Sequence, residues 1–329
     1  MYVSSWLNCF EPAAFFCALI NSQPMGFDSP SQLVQEAKRL QLSMRPVDVT
    51  ASDADCTLEN DGDKRSHWRA ALEATLGTGV ADPPGAVPPP DYRHQPAIRL
   101  GLKRIKGLSA TAMKRVALAR RERAFENVDD LMRRTRLDRG DREALSAADA
   151  LASLTGHRRQ ALWQVTGIKA PLPILPNATT PESRAELPAP AEGEDIVADY
   201  ASAGLTLRCH PLALLRPLLA ARRLASSAEL AAYPHRRLAR AAGIVVGRQR
   251  PDTAKGVIFI TLEDEAGNIN VVCWPQVIEA QRREILSARL LTVYGVWETD
   301  GKVSHLIAKR VVDDTALLGN LLTRSRDFH

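Results

Sequence analysis

Positive charge gathered around one tight turn is the clearest chemical signal in this sequence. From Leu100 to Arg123 the chain reads LGLKRIKGLSATAMKRVALARRER, two short helical stretches joined at Lys106-Gly107-Leu108-Ser109. Gly107 takes a positive φ without steric cost. Ser109 is placed to cap the helix that starts at Ala110. Such a turn points backbone N–H groups outward, and Lys103, Arg104, Lys106, Lys114 and Arg115 surround them with charge. The chemistry is anion binding, and the ligand that fits is a phosphate backbone. The bland alternative is a solvated helix face, the usual meaning of a charge run.

A second set of residues has the chemistry of base stacking. Phe259 lies in GVIFITL and Trp274 ends NINVVCW, two stretches with strand periodicity. Alternation puts Ile258, Ile260 and Leu262 on one face, the expected interior, and Val257, Phe259 and Thr261 on the other. Ile269, Val271 and Cys273 share one face of the next strand, with Asn270, Val272 and Trp274 opposite. Phe259 and Trp274 are thus expected on an outer sheet face that can stack single-stranded bases. Arg248, Arg250 and Lys255, in the loop between the first two strands, are expected to hold the backbone. The alternative is that both aromatics are core, and a bulge in either strand would exchange the faces.

Other groups carry weaker signals. Asp53 and Asp55 in Ser52-Asp53-Ala54-Asp55 could suggest a metal pair, but no third acid is placed to complete a two-metal site. They read as an exposed acidic turn. The five cysteines (Cys9, Cys17, Cys56, Cys209, Cys273) form no CxxC pair, so reduced, structural thiols in a cytoplasmic protein are expected and a zinc site is not. His210 stands alone before Pro211 and reads as a packing or capping residue. The seven histidines have no nucleophile spacing, and without a nucleophile elbow a serine hydrolase finds little support.

The elements that must position these residues follow from periodicity and composition. The chain has 329 residues and a net charge of +5. The charge is uneven: Ala97–Ala170 carries 17 Lys or Arg against 8 Asp or Glu, and the rest sums to −4. That concentration argues for a polyanionic partner. The region Arg237–Ala316 has 11 basic and 10 acidic residues, so affinity there cannot rest on net charge. No signal peptide is evident, and the apolar run Ala13–Ile20 is too short to span a bilayer.

In chain order, Tyr2 to Asn21 reads as two short buried helices. Ser29 to Leu42 reads as an amphipathic helix with Ser29 as N-cap and Pro30 in its first turn. MRPVDVTASD reads as a short strand leading into a loop. Residues 77–96 are rich in Gly, Pro and Ala and read as a linker. Residues 97–170 read as a compact all-helical domain, with Asn127 capping a further helix. Six prolines mark a second linker over 171–193, and residues 194–236 connect through a helix, a turn and a helix. From Arg237 the period falls to 2. Ala241–Gln249, Gly256–Leu262, Asn268–Trp274, Ala288–Trp297 and Lys302–Val311 read as strands, with a helix over Pro275–Ser287. That order is the pattern of an OB-fold barrel, and residues 317–329 are left as a tail. The fold class is therefore α+β and multidomain, a helix-hairpin-helix domain followed by an OB barrel.

The chain resembles the C-terminal third of a bacterial C-family DNA polymerase, the error-prone relative of the polymerase III alpha subunit. The resemblance rests on NSQPMGF at Asn21, RPVDV at Arg45, the LGLKRIKGLS hairpin, GHRRQALW at Gly156, ADYASAGLTLRCHPLALLRP, GRQRPDTAKGVIFITLEDEAGNINVVCW and the terminal SRDFH. It implies that residues 1–76 close a fingers region, that the hairpin domain grips duplex DNA, and that the barrel lies near single-stranded template. The family often has Gly where this chain has Ser109. It also implies DNA replication and damage-induced translesion synthesis and repair, possible contacts with other translesion-synthesis proteins, and a cytoplasmic location. Family members bind two Mg²⁺ ions with three palm carboxylates, which this sequence lacks. The chain is accordingly expected to be a fragment, a broken reading frame or a separately encoded tail, with no cofactor and no polymerase activity by itself. The competing expectation is a stand-alone nucleic-acid-binding or assembly module.

Overall fold

The computed structural model describes residues 2–25, 29–59, 95–167, 186–251, 256–300, 303–319 and 326–328. These fall into two compact units, Met1–Ala191 with Ala201–Leu207, and Glu192–Tyr200 with Arg208–His329. The expected first linker, apart from Gln95 and Pro96, lies outside the described residues, as do residues 171–185 of the second.

The first unit is helical around a small sheet. Strands β1 (Met44–Arg45) and β2 (Thr57–Glu59) flank β3 (Ala97–Arg99), with β1 parallel and β2 antiparallel to it. One apolar core runs from Ala13 and Phe16 through Ile98, Leu102, Val116, Leu131 and Leu145 to Val165 and Leu205. Burying each large side chain of this kind contributes about 1.5–3 kcal/mol. The Pro30–Arg39 helix starts as its sequence dictates, because Ser29 and Gln32 form a capping box. The helix pair at the N-terminus corrects its reading. Pro12–Asn21 buries Ala13, Phe16, Cys17 and Ile20, whereas Tyr2–Phe10 leaves Trp6 and Phe10 exposed, their tilted rings 5.2 Å apart.

The second unit is a closed five-stranded barrel. Strands β4 (Arg237–Gln249), β5 (Ile258–Glu263), β6 (Asn268–Cys273), β7 (Leu290–Thr299) and β8 (Ser304–Asp313) pair in the order β4-β5-β6-β8-β7, and β7 returns to β4. Only the β6–β8 pairing among these five is parallel. A short strand, β9 (Arg326–Phe328), runs parallel to β4 at Gly247–Gln249. Two short helices, Pro275–Ala280 and Arg282–Ser287, stand where one was expected. Alternation sorts the faces: Ile258, Ile260, Leu262, Ile269, Val271 and Cys273 fill the interior with Leu291, Val293 and Leu306. Outside, Leu212 and Leu219 of the Pro211–Ala221 helix cover Ala242, Ile244 and Leu290. His210 caps that helix: its Nδ1 accepts from the Leu212 N–H at 3.2 Å, and its Nε2 lies 3.3 Å from Glu263. No helix among the described residues is long and apolar enough to cross a membrane.

Candidate nucleic-acid interface

The hairpin is built against the acidic stretch that precedes it. A Cβ on Gly101 would lie 2.3 Å from the Asp55 carbonyl carbon, so only glycine lets the two segments run side by side. Leu102 and Lys103 donate their N–H groups to the Asp53 and Ala54 carbonyls at 2.8 and 2.9 Å. Lys103 Nζ pairs with Asp55 at 2.8 Å, and Arg120 holds Asp53 and the Ser52 carbonyl. The acidic turn therefore braces the hairpin, and among the described residues no three His, Cys, Asp or Glu side chains converge as a metal site.

At the turn itself, Gly107 has φ +83°, and a Cβ there would meet nothing within 4 Å. The requirement for glycine is conformational, and the space above the turn is open. Leu108 anchors the turn in the core. Ser109 Oγ caps the Ala110–Glu122 helix by accepting from the Ala112 N–H at 3.0 Å. The cradle differs from expectation in one respect. The Ser109 N–H is not free: it donates to Asp141 at 2.8 Å, and Ser109 Oγ donates to the same carboxylate at 3.1 Å. The N–H groups of Gly107, Leu108, Ala110 and Thr111 take no partner among the described residues. Lys114 follows Thr111 and Ala110 by three and four positions, on the same helix face. It is exposed and makes no ion pair among the described residues. Lys106 is exposed but engaged, its N–H donating to the Ser202 carbonyl and its Nζ to that of Ala201. Arg104 is half-buried at the end of the short Leu102–Arg104 turn of helix.

A second turn of the same geometry lies 29 residues on and escaped sequence reasoning. Arg136 has φ +48°, Leu137 is buried, and Asp138 caps the Arg139–Ala147 helix by accepting from the Asp141 N–H at 2.8 Å. Positive-φ residue, buried leucine, capping oxygen and helix repeat Gly107-Leu108-Ser109 position by position. The signal was the pair of G-L-S and R-L-D triads; arginine hid it, because a non-glycine residue rarely takes positive φ. The two turns are tied together by Asp141 and by Arg115, which donates to the Arg136 carbonyl at 3.1 Å. The helix before the second turn, Val128–Thr135, is fixed through buried Asp130, which contacts Arg123, Arg133 and Arg134 at 3.0–3.1 Å. Burial pushes this carboxyl's pKa up, but the Arg134 and Arg133 guanidiniums more than offset that and hold it below the usual range.

In the barrel, Phe259 and Trp274 both stand outward, 38% and 51% exposed. Phe259 lies opposite Val272, and Trp274 follows two residues later, at the N-cap of the Pro275–Ala280 helix just past β6. Val257, expected on this outer face, is instead buried. Arg250 is exposed beyond the end of β4, and Lys255 lies outside the described residues. Arg248 requires correction. It sits inside β4, in register with core residue Ile260, and is 6% exposed. A bulge between Val245 and Gly247 shifts the alternation and turns the side chain inward. There its guanidinium donates to the Ile285 carbonyl at 2.7 Å and to that of Ala288. It closes the end of the Arg282–Ser287 helix and is not available to a ligand.

Comparison with known proteins agrees with this division. Residues 41–161 match the family described as a helix-hairpin-helix motif, and residues 239–313 match the OB-fold nucleic acid binding domain. Three similar proteins, each named error-prone DNA polymerase, come from Ralstonia nicotianae, Ralstonia pickettii and Alkalilimnicola ehrlichii. They are 51%, 52% and 49% identical to this chain over 100% of its length, which is 28%, 29% and 29% of theirs. From end to end, then, the chain is similar to the error-prone DNA polymerases, and it spans a little over a quarter of the length of those it matches.

Proposed function

We propose that this chain is a DNA-gripping portion of an error-prone DNA polymerase, acting in damage-induced synthesis in the cytoplasm. The paired turns hold the duplex through its phosphates, and the outer face of β5 and β6 holds single-stranded template. The observation that carries the reading is the open set of amides at Gly107, Leu108, Ala110 and Thr111, beside an unpaired Lys114; at the second turn the Arg136 N–H donates to the Met132 carbonyl, and the amides that stay open among the described residues are those of Leu137, Arg139 and Gly140. N–H groups at a helix start with a cation nearby favour phosphate and read no bases; of the first turn's amides, the Asp141 carboxylate takes that of Ser109 alone. The exposed pair Phe259 and Trp274 offers two π-faces of the kind that bind single strands without sequence preference.

In this reading the Mg²⁺-dependent nucleotidyl transfer belongs to carboxylates in the part of the polymerases that this chain does not match. A primer-extension assay with the purified chain, Mg²⁺ and dNTPs tests this point: no extension is expected, and extension would contradict it. Binding of labelled duplex and labelled oligothymidylate, each measured by anisotropy, tests the two grips separately. Both should bind, and failure of either removes the corresponding assignment.

A further inference from the structure

The outer face of β4, β7 and β8, away from Phe259 and Trp274, carries a pattern that duplex grip and β5–β6 stacking leave unused. Arg240, Tyr294 and Arg310 are successive register partners on the three strands. Adjacent strands lie about 4.8 Å apart, so the two arginines bracket the tyrosine at roughly 10 Å from each other. The Arg310 guanidinium lies 5.6 Å from the Tyr294 ring centroid. Two residues along β4 and β7, and three along the bulged β8, Leu238, Val296 and Ile307 form an apolar row on the same face, and Leu238 is 80% exposed.

The row is shaped by a bulge. Tyr294 faces Arg310 while Gly295 faces Ala308, so Lys309 is the extra residue. A Cβ on Gly295 would come within 2.1 Å of the Ile307 carbonyl oxygen, so this close approach needs glycine. The bulge leaves Lys309 and Arg310 exposed side by side. None of Arg240, Lys309 and Arg310 has a carboxylate partner among the described residues. The nearest acid along β7 on this face, Glu298, is four positions from Tyr294, opposite His305. The Pro211–Ala221 helix covers the neighbouring Ala242 and Leu290 but not this row.

Three uncompensated cations around an aromatic ring and an exposed leucine suit a chain that presents phosphates and π-faces in turn. We propose that this face is a second contact surface for single-stranded nucleic acid, with phosphates on Arg240, Lys309 and Arg310 and bases against Tyr294 and Leu238. The proposal rests on the reading of the barrel as a single-strand binder and adds a separate path around it.

Oligothymidylate binding by the full chain tests it, using Arg240→Gln/Arg310→Gln and Tyr294→Leu beside Phe259→Ala/Trp274→Ala. Circular dichroism and thermal melting establish that each variant is folded. The arginine pair should lose about tenfold in affinity near 0.2 M salt, and its log–log salt slope should flatten by about 1.4, with duplex binding unchanged. Tyr294→Leu should weaken binding with no change of slope. Unchanged affinity for the arginine pair, with a loss for Phe259→Ala/Trp274→Ala, would overturn this surface and leave the barrel's role intact. No loss in any variant would remove the barrel's role and this surface together. Retained oligothymidylate binding with lost binding of poly-glutamate would assign the face to an acidic protein and overturn the proposal.

Discussion

The Ser109 N–H donates to the Asp141 carboxylate at 2.8 Å, so the cap of one turn is held by the helix that follows the other. Asp141 is buried, and its own N–H donates to Asp138. One carboxylate thereby fixes the spacing of the two turns. Asp141→Ala should cost about 1.5–3 kcal/mol, the range for a hydrogen bond to a buried charged group. Urea unfolding checks this, and an unchanged midpoint would show that the turns are held by leucine packing alone.

Gly107→Ala isolates the conformational requirement of the first turn. Nothing crowds a Cβ there, so the penalty comes from φ +83° alone. A loss of about 1–2 kcal/mol in stability is expected, with weakened duplex binding if the turn relaxes. Gly107→Asn, which tolerates positive φ better, should recover part of both.

The sequence places Arg248 as a ligand contact, whereas the barrel uses it as a plug. Arg248→Ala should therefore destabilise the barrel by about 2–3 kcal/mol or more, because two carbonyls lose a charged donor. Thermal melting should show the loss before any binding assay does. A stable variant with selectively weakened single-strand affinity would instead make Arg248 a ligand contact.

Glu59 joins the small sheet of the first unit to two arginines. Its Oε1 accepts from Arg99 at 2.8 Å, and its Oε2 accepts from Arg45 at 2.6 Å. The Arg99 hydrogen bonds, then that of Arg45, outweigh partial burial and hold this carboxyl below its ordinary value. A depressed folded pKa means stabilisation that is present above the unfolded value, about 4.3, and lost as pH falls through the folded one. The unit should lose stability on acidification from about pH 5 downward. Glu59→Gln should flatten that dependence, as followed by urea midpoints across pH. An unchanged slope would mean the pair contributes nothing.

Much of the barrel was legible because β-alternation survives wherever an interior must be filled. Ile258, Ile260 and Leu262 declared their face, and Phe259 declared the opposite one. Arg248 was not legible, since a bulge reversed its face and a bulge leaves no mark in composition. The first hairpin was legible through Gly107 and Ser109. The second was not, because Arg136 occupies a conformation that glycine usually marks, and the buried Leu137 looks like any other leucine. The Arg240–Tyr294–Arg310 row has no linear signature at all. Its members are 54 and 16 residues apart, and only strand register brings them together.

In the proposed function, the turns at Gly107 and Arg136 together grip a duplex through its phosphates. Duplex affinity across a salt titration, for the chain and for Lys114→Ala/Arg139→Ala, tests this grip most directly, with one cation removed beside each turn. Weaker binding, no change in sequence preference and a log–log salt slope flatter by about 1.8 are expected. Affinity and slope both unchanged would contradict it.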